Sequence, residues 1–213
     1  MQGLFGFLRS PFSSSTPERD SVSSGDPKPR LPSKSILILG ETGGGKSTFI
    51  NTITNYFKNG DLDNLRVAIP TAYLPATEGY AHTENNLQDI TTSQTNSCTT
   101  YSFEKNGVIY NFIDTPGLND TRSYQQDELN LEKILTVAKD TSDLVSIMLI
   151  VNGTQSRLTP AMMNIIVALK GSIPDGCMDG FIVVLSKCDK RKTQFQRSSL
   201  ATIAPNIRKE FIF

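Results

Sequence analysis

The chain has 213 residues, 38% of them hydrophobic and 20% charged, which fits one soluble domain with a real core and excludes wholesale disorder. Twenty-one basic residues balance twenty-one acidic ones, so no global field holds nucleic acid or an acidic membrane, and any bound anion must be caught locally. The longest mostly apolar run, residues 144–151 with Ser146 inside it, falls far short of the roughly 20 residues of a membrane-spanning helix. Cys98, Cys177 and Cys188 are odd in number and lack metal-ligand spacing, which points to a reducing, cytoplasmic setting.

Residues 1–34 read as a disordered tail. Between Ser10 and Lys34 there are eight Ser, five Pro and one Gly in 25 positions, too little apolar surface to offset the entropy of ordering. The first nine residues lack the apolar core and cleavage site of a signal peptide, and Gln2 excludes myristoylation.

From residue 35 short apolar runs alternate with helical periodicity. Ser35 to Leu39 is a continuous β-branched-rich run ended by a glycine, as in a strand buried on both faces. Phe49, Ile50, Ile53 and Phe57 then recur at helical spacing. The stretch 59–92 reads as an insertion, with a candidate strand at Leu65 to Ile69 and a polar loop containing the only histidine, His82. Val108 to Ile113 is a strand, Leu131, Ile134, Leu135 and Ala138 share a helical face, and Leu144 to Val151 is the next strand. Thr159-Pro160 starts a helix that Gly171 stops, and Phe181 to Leu185 is a fourth buried run. Strands alternating with helices imply an α/β fold: a mostly parallel sheet with helices on both faces, binding ligands beyond the carboxyl ends of its strands.

Three motifs sit at such ends. Gly40-Glu-Thr-Gly-Gly-Gly-Lys46-Ser47 fits Gly-x4-Gly-Lys-Ser between a predicted strand and a predicted helix, the phosphate-binding P-loop context. Gly40, Glu41, Thr42, Gly43, Gly44, Gly45, Lys46, Ser47 and Thr48 are the candidate phosphate-binding residues: glycines let backbone N–H groups converge on phosphate oxygens, Lys46 reaches the β and γ phosphates, and Ser47 supplies a hydroxyl to Mg²⁺. Asp114-Thr-Pro-Gly117 follows the second run, so Asp114 is a candidate metal residue and the Gly117 amide a candidate γ-phosphate donor. Ser186-Lys187-Cys-Asp189 ends the fourth run. A carboxylate at Asp189 accepts both N1–H and the N2 amino group of guanine, the Lys187 stem covers the base plane, and Ser186 tethers this loop to the phosphate loop.

In this order the three motifs resemble the G1, G3 and G4 elements of translation-factor-class P-loop GTPases, over roughly residues 35 to 213. Ser93-Gln-Thr95-Asn-Ser-Cys98 and Asp114 to Leu118 resemble the septin-like branch, closest to the immunity-associated (GIMAP-like) G domain. The resemblance implies GTP or GDP with Mg²⁺, and a switch threonine at Thr95, catalytic with Lys46 and a metal ligand with Ser47 and Asp114; Thr92, Thr99 and Thr100 are alternatives for the switch position. It also implies slow hydrolysis, because Leu118 stands where many relatives carry the Gln that orients water, and pairing of two copies through the nucleotide face. Two departures stand out. Ser186 replaces the usual, longer Asn, so a weaker tether is expected. The chain stops 24 residues after Asp189, so a further strand, a fifth base-contacting motif and a last helix are expected to be missing.

Overall fold

The computed structural model describes residues 30–80, 97–118, 124–189, 191, 193–200 and 209–212. The strands are β1 (Ser33–Gly40), β2 (Thr99–Lys105), β3 (Val108–Asp114), β4 (Leu144–Asn152), β5 (Ile182–Ser186) and β6 (Lys209–Ile212), with helices α1 (Lys46–Lys58), α2 (Tyr124–Asp140), α3 (Pro160–Lys170) and a short α4 (Asp175–Asp179). They belong to a compact unit running from Pro32 to Phe213. One sheet has the order β2-β3-β1-β4-β5-β6; β2 runs antiparallel to β3 and every other neighbouring pair is parallel. The chain leaves β1 for one side of the sheet and later returns to the other, so the switch point lies at the carboxyl end of β1, where such sheets open a crevice.

Alternation along the strands divides the core between two helical layers. Leu37 and Leu39 join Ile113, Leu149 and Val183 in a cluster with Ile134 of α2 and Met162 and Ile166 of α3. On the other face Phe57 of α1 stacks on Phe103 with centroids 5.0 Å apart and meets the rings of Tyr110 and Phe112. Rings at such distances add to the area they bury. The helix start expected at Thr159 is present: its side chain accepts from Met162 N, with Pro160 in the first turn.

Four features depart from the sequence reading. β1 begins at Ser33, two residues inside the stretch assigned to the tail. The antiparallel β2 was not foreseen; Asn106 and Gly107, both at positive φ (55° and 71°), make its two-residue turn into β3, the conformation Asn-Gly favours. Residues 65–69 form no strand. Val67, Ala68 and Ile69 are buried, but among the described residues no strand pairs with them: Val67 N donates to Thr77 Oγ1 and Val67 O accepts from Thr77 N and Glu78 N, while Asn51 Oδ1 accepts from Ala68 N and Ile69 N, and Asn51 Nδ2 donates to Ile69 O. Asn55 grips Arg66 N and O in the same way. Lastly, a strand expected only beyond Phe213 is already present, since β6 pairs in parallel with β5. The earlier residues, including most of the tail, and His82, Thr92 and Thr95 lie outside the described residues.

Candidate nucleotide site

The loop after β1 takes its shape from positions where a side chain has no room or the wrong handedness. A Cβ at Gly40 would stand 2.8 Å from Ile150 O, and one at Gly44 would stand 2.9 Å from Glu41 O. Gly43 and Gly45 adopt φ of 68° and 100°, a region L residues avoid. Gly45 thereby caps α1, so the helix opens with Lys46 and Ser47 and aims its amino end, with its partial positive charge, at the concave face of the loop. Lys46 is nearly buried, and its ammonium donates to Gly40 O and Glu41 O, both at 3.1 Å, which fixes the charge against the loop. Thr42 Oγ1 is buried without a hydrogen-bond partner among the described residues. An orphaned hydroxyl is costly in a finished core and fits a site that awaits a polar ligand. Thr48 is exposed on the first turn of α1.

Asp114 ends β3 opposite Ile38 of β1 and is 1% exposed, so its carboxylate lies at the same end of the sheet as Ser47. Among the described residues no group of three His, Cys, Asp or Glu gathers as a metal cluster. The hydroxyl of Ser47 and carboxylate of Asp114 are the hard oxygen donors that suit Mg²⁺, which keeps several waters and takes few protein ligands. Thr115 anchors the turn by donating from Oγ1 to Ile38 O at 2.7 Å. Gly117 abuts the glycine-rich loop: a Cβ there would meet Thr42 Oγ1 and stand 2.8 Å from Thr42 Cα. Leu118 N donates to Gly40 O at 3.3 Å and Thr42 N to Leu118 O at 2.9 Å, while the Leu118 side chain is buried in the core cluster. Thr99, one alternative for the switch threonine, pairs directly across from Asp114, and Thr100 from Ile113. Beside them the Cys98 thiol is pushed up to about 11, first by burial and then by the Asp114 charge, with Lys133 pulling the other way, which disfavours the thiolate.

The third loop is joined to the first. Ser186 is 2% exposed, and its hydroxyl lies 2.6 Å from Gly44 O and 3.2 Å from Val151 O. The shorter side chain still bridges the two loops, which approach closely enough for serine, with Ser186 Cβ 3.4 Å from where a Gly45 Cβ would be. Lys187 is exposed with φ of 57°. Asp189 is exposed, and its Oδ1 accepts from Arg191 N at 2.7 Å, which orients the carboxylate while leaving acceptor capacity for a ligand. The loop after β4 completes the rim. Gly153 N donates to Ser186 O at 2.8 Å, a Cβ at Gly153 would collide with Cys188 Sγ, and Gln155 Nε2 donates to Glu41 Oε2 at 3.4 Å. Sequence reasoning missed Gly153, Gln155, Thr115 and Asn130, a buried residue of α2 whose Nδ2 donates to Gly117 O at 3.1 Å; the Gly at the end of a buried run was the one visible signal among them.

A glycine-rich loop at the switch point of a mostly parallel sheet, with Asp114 at the end of the adjacent strand β3, defines a GTP-binding G domain of the P-loop GTPase class. A family model described as 50S ribosome-binding GTPase matches residues 35–187, and the chain belongs to that family. Among solved structures, Toc33 from Arabidopsis thaliana in complex with GDP and Mg²⁺ is similar in fold, at 15% identity and a TM-score of 0.51, covering 85% of this chain and 71% of that one. A structure of the chloroplast translocon components atToc33 and psToc159, for which dimerization is described as important for GTPase activity, is similar to the same degree, at 15% identity and a TM-score of 0.51 over 85% of this chain and 70% of that one. No curated protein matches the sequence significantly. Among the described residues no helix is long and apolar enough to cross a membrane.

Proposed function

We propose that this domain binds GTP and GDP with Mg²⁺, hydrolyses GTP slowly as a monomer, and works as a nucleotide-dependent switch or assembly module that pairs through its nucleotide face. Within the class, the Ser93 to Cys98 segment and the Asp114 to Leu118 turn favour the septin-like branch, nearest the immunity-associated GTPases, and the three free cysteines accord with a cytoplasmic setting. The observation that carries the reading is the junction of the Gly40–Ser47 and Ser186–Asp189 loops through Ser186 Oγ and Gly44 O at 2.6 Å, which brings the loop that bears Asp189 against the glycine-rich loop.

In this reading the loop amides and Lys46 hold the phosphates, the Gly117 amide meets the γ-phosphate, and Asp189 with Lys187 reads guanine. Ser47, Asp114 and Thr95 would hold Mg²⁺, which when bound neutralises charge on the β and γ phosphates. Leu118 is buried in the core and apolar, so it neither orients water nor moves a proton, which supports slow turnover. A second copy then supplies the missing group or excludes stray water. For atToc33 and psToc159, dimerization is described as important for activity, and a γ-phosphate that orders the loops around Thr95 and Gly117 lowers the entropy cost of docking a partner.

The test measures GTP turnover per site across a protein concentration series, with sedimentation in GDP and in a non-hydrolysable GTP analogue. Turnover that rises with concentration, and a dimer present only with the analogue, is the expected result. A concentration-independent rate with monomers in both nucleotides sinks the dimer mechanism. Analogue-dependent dimers without turnover at any concentration would favour a non-hydrolysing, nucleotide-gated interaction module, a reading that the buried Leu118 also supports.

A further inference from the structure

We propose that Asn130 of α2 is a positioning residue for the γ-phosphate, fixing the peptide that follows Gly117 and so setting the preference for the triphosphate over the diphosphate. The inference rests on the reading of Gly117 as the residue whose amide meets that phosphate.

Asn130 is a polar side chain with 1% exposure, and both ends of its amide are used. Nδ2 donates to Gly117 O at 3.1 Å, and Oδ1 accepts from Gln126 Nε2 at 2.9 Å, one turn earlier on the same helix. The second bond orients the first, because an amide whose oxygen is held has its NH₂ aimed. The carbonyl that Asn130 grips belongs to the same peptide unit as Leu118 N–H, which donates to Gly40 O. That peptide plane is therefore held on opposite edges, by α2 on one side and by the end of β1 on the other.

A glycine needs such a grip. Gly117 cannot carry a Cβ, since it would meet Thr42, and without one its backbone has the widest conformational range of any residue. An amide that must point at one phosphate oxygen cannot be left to that range. Gripping the carbonyl of Gly117 restricts its ψ, and the Leu118 bonds to the glycine-rich loop set where the turn lies; together they fix the direction of the Gly117 N–H. A diphosphate has no γ-phosphate for that amide to meet, so the grip matters only for the triphosphate. A merely structural Asn130 would act on both alike.

The experiment measures the affinity of wild type, Asn130→Ala and Gln126→Ala for GDP and for a non-hydrolysable GTP analogue, both with Mg²⁺, by calorimetry. Asn130→Ala is expected to weaken the analogue about 3- to 10-fold, the worth of one net hydrogen bond, while GDP affinity stays within about twofold. Gln126→Ala, which leaves Asn130 in place but unoriented, shifts the ratio in the same direction by less, and it carries the test if Asn130→Ala fails to fold. Equal losses for both nucleotides, or an unchanged ratio in the folded variants, overturn the positioning role while leaving the site reading intact. A wild type that binds neither nucleotide overturns the site reading, and the inference with it.

Discussion

The loop after β1 and the loop after β5 meet over the same end of the sheet, yet they are held by opposite means. The first is shaped by exclusion: Gly40 and Gly44, and Gly117 of the turn that abuts the loop, sit where a Cβ would press on backbone, and Gly43 and Gly45 turn in a sense that other residues resist. The second is shaped by attachment, through the Ser186 hydroxyl on Gly44 O, the Asp189 carboxylate on Arg191 N and the Gly153 amide on Ser186 O. Exclusion is rigid, because any added atom must displace main chain. Attachment is adjustable, because each bond is worth only about 0.5 to 3 kcal/mol net, the upper part of that range for the bond to the Asp189 carboxylate. A cradle for phosphates common to all nucleotides suits the first device, and discrimination among bases suits the second.

The comparison breaks most visibly at Lys46. Its ammonium is pinned by two carbonyls of the rigid loop, so Lys46→Ala removes a pre-placed cation, and a charge-assisted contact is worth about 1.5 to 3 kcal/mol, or roughly 10- to 150-fold in affinity. Titration of both proteins with a fluorescent GTP analogue in Mg²⁺ reads the loss. A cation that serves every nucleotide predicts a similar loss for GTP and for any weakly bound ATP; equal affinities of wild type and variant would remove the phosphate-loop assignment.

Asp189→Asn addresses the attached loop with little change of shape. The asparagine carbonyl can still accept from Arg191 N, so the turn survives, but one acceptor becomes a donor facing the base. Guanine then meets a mismatch, and xanthine, whose C2 carbonyl accepts where guanine donates, gains. A rise of about tenfold or more in the XTP/GTP affinity ratio is expected, the scale of a charged hydrogen bond exchanged for a repulsive contact. Competition against labelled GTP measures it, and an unchanged ratio would show that the carboxylate does not read the base.

Legibility in the sequence follows the same division. Exclusion is local: a run of glycines before Lys46-Ser47 announces its own backbone, and apolar runs ending in Gly40, Asp114 and Ser186 announce strand ends. Attachment is not local. Ser186 and Gly44 lie 142 residues apart, and only the fold reveals that a serine is long enough there. Asn130 reads in sequence as one more polar position on a helix of modest apolar character, and nothing in its neighbours says that its amide turns inward to Gly117. Residues 65–69 misled for a related reason, since an apolar run looks like a strand when most of its hydrogen-bond partners are side chains, Asn51, Asn55 and Thr77, rather than another strand. β2 was legible and missed: Asn106-Gly107 between alternating residues is a strong hairpin signal, and Tyr101 and Phe103 are its buried alternates.

The smallest effect expected separates the tether from the family habit at the same position. Ser186→Ala removes the hydroxyl near both Gly44 O and Val151 O but not the Gly153 bond, which uses the Ser186 backbone. The loop should loosen rather than detach, and nucleotide should dissociate about 2- to 10-fold faster, the worth of one net hydrogen bond. GDP and the GTP analogue should be affected alike, because the bond joins base loop to phosphate loop away from Gly117; this distinguishes it from the selective effect expected at Asn130. Ser186→Asn is the sharper control. If asparagine were better here because it reaches further, it would tighten binding, yet Ser186 is already buried and its Cβ stands 3.4 Å from the Gly45 Cβ position. A longer side chain must push the two loops apart, so Ser186→Asn is expected to leave affinity unchanged or lower. Stopped-flow displacement of a fluorescent nucleotide measures all three proteins. Slower dissociation from Ser186→Asn would mean that the base loop still has slack, and that its attachment to the phosphate loop is looser than the 2.6 Å bond implies.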